Sequence, residues 1–179
     1  MKRRDFLIFT IGFGASGISA AKPLPKVAFT PSERVGIDDQ HWRVIDAAMA
    51  HLFPSEEQAP GAADVHATAW LHNALSMPDV DDDHRRFMRR GAIQLEQISR
   101  ARHNRSFIDL DEKAREAALR TLEEDRDGKA WLRETLRYIL EALLSDPVYG
   151  GNPDAIGWKW LQHRPGFPRP PKNKRYFLL

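Results

Sequence analysis

The sequence predicts an all-α protein: an irregular bundle of about five helices followed by an extended C-terminal tail rich in proline, glycine and aromatic residues. Three observations lead there. Apolar residues recur at three- and four-residue spacing in one segment after another. No stretch alternates apolar and polar residues as a half-buried strand would. Proline, glycine and aspartate cluster at the points where each helical pattern starts or stops. At 179 residues the chain amounts to about one domain. Its 42% hydrophobic and 29% charged residues exclude a multi-span membrane protein.

Residues 1–21 read as an export signal. Lys2, Arg3 and Arg4 precede an apolar run from Phe6 to Ala21, which is sixteen residues long. That is shorter than the roughly 18 residues of a membrane span, and Gly12, Gly14 and Gly17 weaken it further as a helix. Ser19-Ala20-Ala21 supplies the small residues that a signal peptidase requires. Arg3-Arg4 followed by Phe6-Leu7 resembles a twin-arginine signal, with an ordinary secretory signal and a single-pass anchor as the competing readings. Residues 22–37, with three prolines before Arg34, read as a linker.

The bundle is expected over residues 38–145. Asp38 or Asp39 caps a first helix carrying Trp42, Ile45, Met49, Leu52 and Phe53, which Pro54 stops. A second helix is expected over Ala63–Leu75, with either Val65, Ala69, Leu71 and Leu75 or Trp70 and Ala74 inward. The acidic turn Asp79–Asp83 suits the dipole at the start of a third, running toward Arg102. Its stripe is Phe87, Gly91, Leu95 and Ile98, with Arg85, Arg86, Arg89 and Arg90 around it. Phe107 to Asp111 reads as a docking loop. Asp111 then caps Glu112–Glu124, with Ala114, Ala117, Ala118 and Leu122 inward. After the break at Asp127-Gly128 comes the strongest pattern: Trp131, Leu132, Thr135, Leu136, Ile139, Leu140, Leu143 and Leu144. It is apolar around much of its circumference and is therefore expected to be the central helix, ending at Asp146-Pro147.

Charge and residue counts exclude several function classes. The net charge is +2, and Lys2, Arg3 and Arg4 against Asp5 account for that excess, so the body gives no reason to seek nucleic acid. The absence of cysteine excludes disulfides, thiolate zinc sites, iron–sulfur clusters, c-type haem attachment and cysteine nucleophiles. Among the histidines, His41 and His51 are ten apart and His66 and His72 six apart, so neither pair shares a helix face as HExxH does. Asp81–Asp83 and Glu123–Asp125 read as solvated helix ends. The glycines at 12, 14 and 17 match a dinucleotide fingerprint only formally, since no strand precedes them. No catalytic, cofactor-binding or metal site is expected on this chain.

Residues 146–179 stand apart. A packed helix breaks into Asp146-Pro147-Val148-Tyr149-Gly150-Gly151-Asn152-Pro153, and Gly157, Trp158 and Trp160 follow before a tail with Pro165, Pro168, Pro170 and Pro171. Adjacent glycines permit positive φ and close approach, and Pro153 favours a short helix start. Two uses are open on residue chemistry: the aromatics bind a partner, or they pack back onto the bundle. As a partner interface the candidates are Tyr149, Gly150, Gly151, Asn152, Gly157, Trp158 and Trp160, with the aromatics as anchors.

This segment, from Asp146 through Gly150-Gly151-Asn152 to Gly157-Trp158 and on to Phe167-Pro168, resembles the C-terminal signature of the gluconate 2-dehydrogenase subunit 3 family. Leu52-Phe53-Pro54, Pro60-Gly61-Ala62 and the twin-arginine start fit the same pattern. The resemblance implies a non-catalytic small subunit of a periplasmic FAD-dependent dehydrogenase for sugars, polyols or aldonates. The FAD would sit on a large partner subunit of the glucose–methanol–choline type. A cytochrome c subunit accompanies some such complexes. The chain would bind and stabilise the flavin subunit and, through the twin-arginine translocase, export it, remaining membrane-associated only through the complex. The competing reading is an independent periplasmic small-molecule binding module; a stand-alone enzyme lacks any nucleophile–base spacing.

Overall fold

Four helices in this protein start on an aspartate. In the computed structural model, which describes residues 35–166, 168, 169 and 171, the side chains of Asp38, Asp81, Asp111 and Asp125 each accept from a first-turn backbone N–H. Each such cap is worth about 1 kcal/mol. They open α1 (Asp39–Leu52), α3 (Asp82–His103), α4 (Glu112–Glu124) and α5 (Arg126–Leu144). α2 (Ala67–Ser76) and the short α6 (Ile156–Leu161) complete the set, with 3-10 turns at Phe107–Asp109, Pro147–Tyr149 and Pro153–Ala155. Among the described residues there is no strand, only an isolated bridge between Glu56 and Ala59. The fold is the all-α irregular bundle the sequence predicts, with six α-helices among the described residues rather than about five. The signal residues Arg3, Arg4, Phe6 and Leu7 lie outside the described residues, as does residue 34 and everything before it.

The helix at the middle is α1. It touches α2, α3, α4 and α5, and buries Trp42, Val44, Ile45, Ala47, Ala48 and Met49. Val35 and Ile37, at the end of the segment assigned to the linker, are buried in the same core. As expected of a central helix, α5 touches all five other α-helices, but it is not enclosed. One face of α5 packs on the bundle through Trp131, Thr135, Tyr138, Ile139, Ala142 and Leu143. The other carries Leu140 and Leu144 into solvent, 45% and 51% exposed. α5 is apolar on two faces, and the bundle covers one.

The α3–α5 crossing depends on Gly91. A Cβ there would lie 2.1 Å from Trp131 Cδ1, so only glycine lets the indole lie on α3. Trp131 Nε1 then donates to the Met88 carbonyl at 3.0 Å.

Three further expectations change. α2 starts at Ala67, not Ala63, because residues 62–66 form a turn. Asp64 holds it by accepting from Ser55 Oγ at 2.5 Å and Gly61 N–H at 2.7 Å, and His66 takes a left-handed φ of 56°. Arg85 is buried rather than flanking: its Nε donates to the Leu75 carbonyl at 2.8 Å and its Nη2 to the Met77 carbonyl at 2.7 Å, which caps the end of α2. Ala117 faces solvent, and Leu119 takes the inward position instead.

Candidate functional site

The distinctive segment begins where α5 ends. A helix C-terminus leaves four carbonyls without intrahelical donors. Here the following residues supply them. Ser145 Oγ donates to the Ala142 carbonyl at 3.0 Å, Trp158 Nε1 to that of Leu144 at 2.8 Å, and Asn152 Nδ2 to that of Ser145 at 3.0 Å. Asn152 is fully buried. Its backbone N–H reaches the Val65 carbonyl at 3.1 Å, and its Oδ1 accepts from Gly157 N–H at 2.7 Å. One residue therefore joins the end of α5 and the start of α6 through its side chain, and the turn before α2 through its backbone.

Gly157 is required by this closure. A Cβ on it would lie 2.3 Å from the Leu143 carbonyl oxygen. Gly151 is likewise packed against Ser145 and Ala142, whereas Gly150 is exposed with φ 98°. Asn152, Asp154 and Ala155 all hold left-handed φ near 50–56°. Asparagine tolerates that conformation far better than alanine does, so the strain concentrates at Ala155 and is held by the bonds around Asn152.

The sequence-selected residues thus divide. Gly151, Asn152, Gly157 and Trp158, the last 6% exposed, face into the chain and form a clasp. Trp160 is half-buried, its ring 6.4 Å edge-on from Phe53. Tyr149 and Gly150 lie at the surface end of the clasp. Arg169 closes the clasp from outside. Its guanidinium lies 5.3 Å over the Trp158 ring, and it donates to both Asp146 carboxylate oxygens, at 2.8 and 3.0 Å. That contact holds the Asp146 carboxyl below its ordinary range.

Beside the clasp runs a groove of about 780 Å³, floored by Trp70, Leu136, Leu140, Leu144 and Tyr149. Residue-level reasoning missed it, because the leucines of α5 read as core. The signal was present: Leu132, Leu136, Leu140 and Leu144 repeat at strict four-residue spacing, a ridge separate from the Trp131–Thr135–Ile139 face.

Two of the groove's charged side chains, Arg137 and Glu141, are tied to each other. Arg137 pairs with Glu134 and Glu141 and stacks 4.3 Å over the Tyr138 ring. Hydrogen bonding from Arg137 holds Glu134 below the usual carboxylate range, and the bond to Glu134 raises Arg137. Trp70 Nε1 donates to Glu141 at 3.4 Å.

Several other titratable side chains are paired locally. His51 bonds Glu116 at 2.9 Å and His84 bonds the Tyr138 hydroxyl at 2.8 Å. Buried Glu96 accepts from Ser106 Oγ and Phe107 N–H, each at 2.9 Å, and thereby ties the 3-10 turn to α3. Among the described residues no three His, Cys, Asp or Glu side chains are grouped to hold a metal, and no helix is long and apolar enough to cross a membrane.

A family model described as gluconate 2-dehydrogenase subunit 3 matches residues 39–166, from the first turn of α1 through the clasp. No curated protein and no solved structure matches the chain.

Proposed function

Because the chain belongs to the gluconate 2-dehydrogenase subunit 3 family, we propose that it is the non-catalytic small subunit of a periplasmic FAD-dependent dehydrogenase acting on a sugar, polyol or aldonate. It binds and stabilises a large flavin subunit of the glucose–methanol–choline type and carries it across the membrane through the twin-arginine signal at Arg3-Arg4. A cytochrome c subunit receives the electrons where the complex includes one. The observation that carries this reading is the apolar groove along α5, with Leu140 and Leu144 about half exposed in a helix whose opposite face is fully packed. Leucine and aromatic side chains gathered on one exposed face supply contact area that a partner chain can cover. The clasp supports the groove, because it fixes the end of α5 and presents Tyr149 at the rim.

FAD belongs on the partner in this reading. The groove is floored by mid-helix leucines and contains no glycine-rich turn at a helix N-terminus, so its residues do not fit a flavin pyrophosphate. Twin-arginine export suits a flavin protein, which folds around its cofactor before it crosses.

Co-expression with the large subunit tests both halves. The native chain is expected to deliver dehydrogenase activity to the periplasm, and an Arg3→Lys, Arg4→Lys chain to leave it in the cytoplasm. Unchanged periplasmic activity rejects the carrier role.

A periplasmic small-molecule binding module is the second reading, but the groove is an open depression, whereas ligand sites are usually clefts that enclose most of their ligand. Such a site also needs free polar groups to orient its ligand. Of the groove's charged side chains, Glu141 is paired with Arg137 and Asp146 with Arg169, and its floor is mainly apolar, which favours a protein surface over a small solute.

A further inference from the structure

The solvent-facing side of α5 changes character along its length. Positions 129, 133, 137, 140 and 144 recur at three- and four-residue spacing and so share one side of the helix. All five are exposed, and from the N-terminal end they are Lys129, Arg133, Arg137, Leu140 and Leu144. The stripe is cationic first and apolar second, over about 22 Å of helix axis. Its cations are not equivalent. Four charged side chains line the groove: Arg133, Arg137, Glu141 and Asp146. Arg137 is paired with Glu134 and Glu141, and Asp146 with Arg169. Arg133 has no hydrogen bond or ion pair among the described residues, and neither has Lys129 one turn before it. Arg89 and Arg90 are exposed and likewise unpaired, on the stretch of α3 where Trp131 lies against Gly91 and bonds the Met88 carbonyl. They add positive potential at the same end of α5. The acids nearest in sequence, Asp125 and Asp127, lie at the start of the helix, where Asp125 serves as its cap.

We propose that this stripe docks a segment of the flavin subunit that carries carboxylates at one end and apolar side chains at the other. The carboxylates meet Lys129 and Arg133, and the apolar side chains cover Leu140 and Leu144. The inference rests on the small-subunit reading above and adds to it the chemistry and direction of the contact. Charge sets the direction. Both acids of the groove already have an arginine, so a basic segment gains no partner at the leucine end and is repelled at the other. A carboxylate finds unpaired cations at one end only. The two halves of the stripe then do different work. Opposite charges speed the encounter and select the register, whereas covered leucines slow the release.

Association and dissociation of the large flavin subunit are measured on the immobilised full chain at low and high salt. Lys129→Glu with Arg133→Glu is expected to slow association about tenfold at low salt and to leave dissociation nearly unchanged, with the gap narrowing at high salt. Lys129→Gln with Arg133→Gln should act in the same direction and less strongly, and it keeps the test valid should the reversed charges disturb the helix. The same change in net charge made on other elements, Arg105→Glu with Lys113→Glu, should have little effect. Leu140→Asp with Leu144→Asp should instead speed dissociation. If charge reversal leaves association unchanged while the leucine variant loses capture, the groove is the docking face and the acid-bearing segment is overturned. Faster association by the reversed chain overturns it too, since the segment would then be basic. If neither variant alters capture, the contact lies elsewhere on the chain and the proposal fails with it. A native chain that does not bind the flavin subunit rejects the small-subunit reading itself, and this inference with it.

Discussion

The clasp and the groove meet at the end of α5 but use their residues in opposite ways. The clasp contains the rare and conspicuous residues: two glycines pressed against α5, an asparagine in a left-handed conformation and a buried tryptophan. Nearly all of their capacity is taken up inside the chain, on the carbonyls of α5 and on the glycine contacts that bring α6 against it. The groove is built from common leucines, yet these are the side chains left facing water. A distinctive motif can therefore be a scaffold, and an ordinary repeat beside it the surface that the scaffold presents.

The contrast breaks most visibly if the clasp is cut. Trp158→Ala removes a buried indole and exposes the Leu144 carbonyl. It should cost about 3–5 kcal/mol, read as a lower denaturation midpoint of the isolated chain. If the free chain keeps its stability while losing its partner, Trp158 is an interface anchor and the clasp account is wrong. Asn152→Ala should cost about 2–3 kcal/mol, because it removes two buried side-chain hydrogen bonds and places alanine at φ 51°. Its unfolding curve should resemble that of Gly157→Ala more than that of any groove variant.

The groove should respond the other way. Leu140→Asp with Leu144→Asp is expected to leave stability within about 0.5 kcal/mol, while weakening capture of the flavin subunit by about 2 kcal/mol or more. Pull-down and thermal melting on the same samples separate the two effects. A loss of stability equal to that of the clasp variants would erase the distinction between the regions.

The smallest effect belongs to a site outside both. Asp46 is mostly buried between α1 and α2 and accepts from Thr68 Oγ1 at 2.5 Å; burial pushes its carboxyl above the ordinary value. The folded chain then holds this proton more tightly than the unfolded one. The associated stability is complete below the unfolded pKa of about 3.9 and is lost as pH rises through the folded value. Asp46→Asn should therefore be at least as stable as the native chain at pH 7, and the difference should close below about pH 4. A native chain whose stability rises relative to Asp46→Asn between pH 4 and 7 would contradict this.

Much of the fold was legible because its determinants are local. The caps at Asp38 and Asp111, the stop at Pro54 and the periodicity of α1 and α4 act within a few residues of where they are written. The site was less legible. That Asn152 would reach Val65, or that Trp158 would cap Leu144, depends on partners distant in the chain. Arg85 misled for the same reason: flanking arginines usually point outward, and the carbonyls that take this one inward belong to the preceding helix and turn.

The sequence by itself determined an all-α bundle, the caps at Asp38 and Asp111 that open two of its helices, and a family resemblance carried by residues 146–158. Only the tertiary structure decided which face of α5 the bundle covers. Hydrophobic periodicity records that a face avoids water, but burial is a contest among all the faces available. α1 and its neighbours had room for one side of α5, and the leucines on the other side were left for something else to cover.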